Sequence, residues 1–147
     1  MTKHLFVYGT LHPRKAPPEV AASVSRMRKV ARGHLRGKVY DLGEYPGAVW
    51  MPRPLAKSTV KGTIFQVPAD DPHFFSTLDR YEGYDPSNIP GSLFKRTRRI
   101  VTVDNGKRML CWVYEYNQAL KDTKKLVGAA SSQANSRAHQ RIARRAS

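Results

Sequence analysis

Two β-rich runs separated by a tight turn lie between residues 94 and 116. FKRTRRIVTV (94–103) and MLCWVYEY (109–116) are rich in β-branched and aromatic residues, and they flank the tetrapeptide DNGK. Asn-Gly between two such runs is the strongest short-range signal of a β-hairpin, because both residues tolerate the positive φ that the turn requires. The sequence therefore predicts a fold built around an antiparallel sheet.

The residues before this hairpin predict three strands and two helices. Strands are indicated at 4–8, in the run that begins at His34 and leads into the turn GEYPG, and at 59–67. Apolar residues spaced by three and four predict helices over Glu19–Ala31, ended by Gly33, and Ala69–Glu82, ended by Gly83. Asp71 is the expected N-cap of the second helix and Pro72 its first residue. The order β, α, β, β, α, β, β favours an α+β domain with a mostly antiparallel sheet, and leaves open whether the sheet closes into a barrel.

Length and composition set the class of protein. The 147 residues correspond to one domain, and apolar runs of at most four or five residues are too short to span a membrane. The start MTKHLFVYG has no secretory signal, and a single cysteine, Cys111, cannot form an internal disulfide. We therefore expect a cytoplasmic protein. The five histidines show no metal-binding spacing and no phosphate-binding loop occurs, so we expect neither a metal nor a cofactor.

The formal net charge of +15 is the most unusual property of the composition. Residues 117–147 contain seven Lys or Arg and one acid, Asp122, which gives 7 − 1 = +6, and few apolar residues that could build a core. We therefore predict a domain over 1–116 followed by a basic, mobile tail over 117–147. The charge fits either a solvated basic surface or a polyanionic partner such as RNA or DNA, and the sequence leaves both open.

The segment LDRYEGYDP (78–86) contains a candidate general base. If the second helix ends near Gly83, Glu82 lies on its last turn, where the helix dipole disfavours a carboxylate by some tenths of a kcal/mol. A carboxylate partly removed from water among tyrosine rings is typical of a general base. The alternative is a solvated Glu82, or one that pairs with Arg80 or Arg96.

A second candidate site is the loop that follows the first strand, in HLFVYGTLHP (4–13). The peptide groups of Gly9, Thr10 and Leu11 come directly after a strand, and consecutive N–H groups in such a turn form a nest for an anion such as a carboxylate. Glycine would let a ligand approach the backbone closely. The alternative is a plain turn between a strand and a loop.

In order and spacing, FVYGTL, VYDLGEYPGAV, LDRYEGYDP, the F-K-R strand entry and CWVYEY resemble the γ-glutamylcyclotransferase-like family. The resemblance covers about residues 4 to 116. It implies a small mixed, mostly antiparallel β-barrel flanked by helices, and an enzyme that releases 5-oxoproline from a γ-glutamyl amine or peptide without a metal.

The resemblance also implies roles for single residues. Tyr8, Gly9, Thr10 and Leu11 would bind the carboxylate end of the substrate, Tyr114 would line the pocket, and Glu82 would be the catalytic base. Asp79 matches the family pattern with a structural role. One departure is Phe94, where many relatives have Tyr. The rival hypothesis is a non-catalytic binding module with the same pocket, whose basic surface and tail contact a polyanion. The sequence predicts neither the amine part of the substrate nor the oligomeric state.

Overall fold

The computed structural model describes residues 2–8, 14, 16–42, 46–51, 58–119 and 124–125. These residues form seven strands and two helices: β1 (His4–Val7), α1 (Pro18–Val24), β2 (Arg28–Asp41), β3 (Pro46–Trp50), β4 (Thr59–Gln66), α2 (Phe74–Glu82), β5 (Phe94–Val103), β6 (Arg108–Tyr116) and β7 (Lys124–Lys125). Within the described ranges, neither helix has the length and apolar character needed to cross a bilayer.

Five of the strands close into a barrel, in the order β2, β4, β1, β6 and β5. The barrel closes where β2 meets β5 again, at the pairs Gly33–Val103 and His34–Thr102. β1 and β6 run parallel, and the other barrel pairs are antiparallel. β3 pairs with the second half of β2, outside the closed ring. The expected α+β fold with a mixed, mostly antiparallel barrel is therefore confirmed.

The apolar core has two layers, one on each side of the barrel wall. Inside the barrel lie Phe6, Leu35, Val60, Ile64, Val101, Cys111 and Val113, among others. Between the barrel and the helices lie Leu5, Val20, Val24, Phe65, Phe74, Leu78, Tyr81, Phe94 and Tyr114, among others. Because side chains alternate along a strand, β1 and β6 contribute to both layers, and this fixes α2 against the outer wall of the barrel.

The first helix is shorter than its periodicity predicts. α1 ends at Val24, and β2 starts at Arg28, inside the helix expected over Glu19–Ala31. β2 pairs with β4 from Arg28 to Arg36, passing Gly33 without a break apart from a register shift between Lys29 and Ala31. The prediction was wrong because the long β4 pairing supplies backbone hydrogen bonds that the local helical pattern does not reveal.

The second helix begins later than expected and ends where expected. α2 starts at Phe74 with His73 as its N-cap, so the N-cap prediction for Asp71 was wrong. Asp71 instead accepts a hydrogen bond from the His73 backbone N–H at 3.0 Å, in the turn that precedes the helix. Gly83 ends α2 in the left-handed conformation at φ 71°, as a C-terminal glycine commonly does.

The hairpin and the first and fourth strands agree with the sequence prediction. β5 and β6 pair from Phe94–Tyr116 to Thr102–Arg108, and Gly106 adopts φ 91° in the turn. In the predicted tail, the backbone of Lys124–Lys125 pairs with β2 at Asp41 and Tyr40. The rest of the tail prediction, from residue 120 onward, lies outside the described residues.

Candidate active site

Glu82 occupies the last position of α2 and is 4% exposed. The left-handed Gly83 lets its own N–H and that of Tyr84 donate to the carbonyls of Arg80 and Asp79, at 3.2 and 2.8 Å. These bonds satisfy carbonyls that a helix end otherwise leaves open. The capped end holds Glu82 in a fixed place, and its burial is inconsistent with the solvated alternative.

The Tyr8 side chain joins three strands of the sheet. Its hydroxyl donates to the carbonyl oxygen of Tyr114 at 2.7 Å and accepts from the backbone N–H of Ala48 at 3.1 Å. Burial raises the pKa of the Tyr8 phenol, and the negative charges of Glu82 and Glu115 raise it further against the opposing hydrogen bond from Ala48. Tyr8 is therefore a neutral anchor that ties β1 to β3 and β6.

Glu115 is a second buried carboxylate whose negative charge raises the pKa of the Tyr8 phenol. Glu115 is 2% exposed and is held by the Arg99 guanidinium, through Nε on one carboxylate oxygen at 2.5 Å and through a terminal nitrogen on the other at 3.3 Å. The Arg99 guanidinium also lies 4.1 Å from the ring centre of Trp50. The sequence analysis did not predict this ion pair. The only feature of the sequence that could have indicated it is the carboxylate of Glu115 within the aromatic run WVYEY.

Tyr114 connects the Tyr8 anchor to a second buried ion pair. Its hydroxyl donates to Asp79 Oδ1 at 2.6 Å, and Arg96 donates to both oxygens of Asp79 at 2.8 and 3.2 Å. Burial raises the pKa of the Tyr114 phenol, as do the charge of Asp79 and the hydrogen bond to it. Because Asp79 lies one turn before Glu82 on α2, these bonds fix the helix that carries Glu82 against β5 and β6.

The Arg96 side chain is enclosed by aromatic rings. Its guanidinium lies 4.3 Å from the ring centre of Phe75 and 4.5 Å from that of Trp112. A planar guanidinium between ring faces gains cation–π attraction and keeps its edge available for a carboxylate. Arg96 thus pairs with Asp79, and this contact replaces the Arg96–Glu82 pair considered from the sequence.

The other predicted site positions divide into two groups. Gly9, Thr10 and Leu11 lie outside the described residues, directly after Tyr8. Phe94 is 2% exposed in the layer between barrel and helices, with its ring edge-on to Tyr116 at 5.7 Å. Among the residues that the structure describes, no cluster of three or more His, Cys, Asp or Glu side chains is arranged to hold a metal ion.

Comparison with known proteins identifies the family of the chain. The family model described as gamma-glutamyl cyclotransferase, AIG2-like, matches residues 5–133. The chain therefore belongs to the γ-glutamyl cyclotransferase, AIG2-like family. A comparison with curated proteins finds no match.

Solved structures share the fold. YkqA from Bacillus subtilis is 18% identical with a TM-score of 0.59; the match covers 99% of this chain and 43% of that protein, so this chain spans less than half of its length. An AIG2-like protein from Mus musculus is 26% identical with a TM-score of 0.56, covering 78% of this chain and 76% of the other. A solved structure of a gamma-glutamyl cyclotransferase is 10% identical with a TM-score of 0.54, and the match covers 85% of this chain and 70% of the other. These matches show the shared fold, and the family match supports the enzyme class in general terms.

Proposed function

We propose that the protein is a metal-independent γ-glutamylcyclotransferase that converts a γ-glutamyl amine or peptide to 5-oxoproline and a free amine. The observation that carries the proposal is the position of Glu82, a 4% exposed carboxylate at the capped end of α2, whose charge raises the pKa of the Tyr8 phenol. Family membership supports the same class of reaction. A cytoplasmic location, expected from the sequence, fits a small-molecule substrate of this kind.

The reaction needs one group that moves a proton. The α-amino group of the substrate is protonated near neutral pH, and Glu82 takes one proton from it so that the nitrogen can attack the γ-carbonyl carbon. A new C–N bond closes the five-membered ring while the bond from the γ-carbon to the departing nitrogen breaks. Glu82 returns this proton to the departing nitrogen and then carries to it the second proton that the ring nitrogen must lose, so the products are 5-oxoproline and the amine in its protonated form.

Ring closure within one molecule makes positioning the main contribution of the protein. The protein holds the γ-glutamyl chain in the conformation in which its amino group contacts its own γ-carbonyl. Such proximity lowers the activation barrier by several kcal/mol. In this proposal the N–H groups of Gly9, Thr10 and Leu11 bind the α-carboxylate. Tyr8 anchors the start of that loop, and Tyr114 supports the anchor through its carbonyl oxygen.

A panel of γ-glutamyl amines and peptides, with 5-oxoproline measured by mass, tests the proposal. We expect turnover of at least one compound by the wild type, no change after treatment with a metal chelator, and loss of turnover in Glu82→Gln. Glu19→Gln is the matched control, because Glu19 is an exposed glutamate in the first turn of α1. Equal turnover by Glu82→Gln and the control would contradict the role of Glu82, and no turnover of any compound would favour the binding-module alternative.

A further inference from the structure

A groove of about 810 Å³ opens on the barrel surface, and neither Glu82 nor Tyr8 is among its lining residues. It forms because β2 pairs with β5 only at Gly33–Val103 and His34–Thr102, and then turns away to pair with β3. The divergence leaves a cleft between the second half of β2 and the β5–β6 hairpin. Of the residues that the structure describes, those lining it are His34, Arg36, Trp50, Ser58, Thr59, Arg98, Arg99, Ile100, Thr102, Gly106, Arg108 and Leu110.

The groove carries four arginines and a histidine, and its lining includes no carboxylate from the described part of the chain. Arg99 is compensated by Glu115. Among the described residues, the other three guanidinium groups of the groove, on Arg36, Arg98 and Arg108, take part in no ion pair. Charges of one sign in a concave surface attract an anionic ligand, and guanidinium groups match the oxygens of a phosphate.

Apolar side chains lie among these cations. Ile100 and Leu110 are direct cross-strand neighbours on β5 and β6, and they are 43% and 52% exposed. The ring of Trp50 lines the same groove and stacks on the Arg99 guanidinium. A ligand that carries only charge would leave this apolar surface uncovered, whereas a ligand with alternating charged and flat apolar parts would cover both.

We propose that this groove binds single-stranded polynucleotide, with phosphates on Arg36, Arg98 and Arg108 and unstacked bases on Ile100, Leu110 and Trp50. Single-stranded nucleic acids bind to other proteins through a basic groove and aromatic side chains on which bases stack, and in this groove Trp50 is the aromatic residue while Ile100 and Leu110 add apolar contact. A duplex presents phosphates on its outside and keeps its bases stacked within, so it leaves the apolar pair exposed. Because Glu82 and Tyr8 do not line the groove, this binding would use other residues than those proposed for the cyclotransferase reaction.

Fluorescence anisotropy with labelled oligo(rU) and oligo(dT) of about 12 nucleotides, on the full chain, tests the proposal, since known sites of this kind span roughly 4 to 16 nucleotides. The groove variant is Arg36→Glu combined with Arg108→Glu. Its control is Lys29→Glu combined with Arg80→Glu, two exposed cations outside the groove that give the same change in net charge. We expect at least a tenfold loss of affinity in the groove variant and less than a threefold loss in the control.

Two further measurements separate the groove from simple charge attraction. Ile100→Ser combined with Leu110→Ser keeps every cation and should still weaken single-strand binding severalfold. This variant also tests the proposal if the charge reversals impair folding. The affinity of the wild type should fall steeply between about 50 and 200 mM salt, and the groove variant should show a shallower dependence. Equal losses in the two charge variants, equal affinity for a matched duplex, or equal affinity for poly-glutamate would each overturn the proposal.

Discussion

Replacing Asp79 by Asn tests whether the buried ion pair fixes α2. The Asp79 carboxylate accepts two hydrogen bonds from Arg96 and one from Tyr114, and the side chains of Asp79 and Arg96 are only 9% and 17% exposed. Asn keeps the size of the side chain. However, it removes the charge and presents an amide N–H₂ group toward donors, so at least one buried donor loses its acceptor.

Removing one partner of a buried ion pair costs about 3 to 5 kcal/mol, because the remaining charge is left without compensation. Arg96 keeps some exposure and its two ring contacts, so we expect a loss near the lower end, about 3 kcal/mol. For a domain of this size, that loss lowers Tm by roughly 6 to 12 °C. It is also a large fraction of the 5 to 15 kcal/mol that typically separates the folded and unfolded states.

Urea unfolding of Asp79→Asn, Arg96→Met and the double variant measures the free energy of unfolding and the coupling between the two side chains. Because the double variant leaves no uncompensated charge, its loss should be smaller than the sum of the single losses by at least about 2 kcal/mol. Losses that add within about 0.5 kcal/mol, or a loss below about 1 kcal/mol for Asp79→Asn, would refute the argument.

Three further predictions concern the barrel and the loop. Burial raises the pKa of the Cys111 thiol to about 12, so Ellman's reagent at about pH 9 should react with it at least 100-fold faster in denaturant than in the folded protein. Since the folded pKa lies above the ordinary thiol pKa of 9.0, this thiol's contribution to stability should be lost as pH rises from about 9 toward 12. Gly62→Ala places a Cβ 2.5 Å from a β1 carbonyl oxygen and should cost about 2 kcal/mol in urea unfolding. The open turn position should tolerate Gly106→Ala at about 1 kcal/mol, the cost of its positive φ alone. Gly9→Val should weaken binding of a γ-glutamyl ligand in calorimetry while Thr10→Ser should not, and equal affinities would indicate a plain turn.

Local signals account for the elements that the sequence predicted well. The Asn-Gly turn fixes the β5–β6 hairpin because turn type and strand register depend on adjacent residues. Gly83 likewise marks the end of α2, and this places Glu82 on the last turn before any tertiary contact is considered. Barrel closure was predicted from the family resemblance and not from local signals, because it depends on a β2–β5 pairing across some 70 residues.

Long-range contacts account for what the sequence did not predict. Residues 28–31 continue a helical pattern but pair with β4, because strand partners override a weak local preference. Asp79 and Arg96 are 17 residues apart, and Arg99 and Glu115 are 16 apart. Nothing in the spacing of either pair fixes which acid each arginine meets. These contacts support different roles for the two acids, with Asp79 holding α2 in place and Glu82 acting as the proposed base.

The central proposal is that Glu82 transfers the proton in ring closure, and single-turnover kinetics tests it most directly. Glu82→Gln keeps the shape of the side chain but cannot accept a proton, so it should fold and bind the substrate while 5-oxoproline release slows by roughly 10² or more. The measurement compares 5-oxoproline release by wild type and Glu82→Gln with enzyme in excess over a substrate identified in the panel, with binding measured separately. A hundredfold slower release at unchanged affinity is the predicted result. Release rates that agree within a few-fold would contradict the proposed role of Glu82.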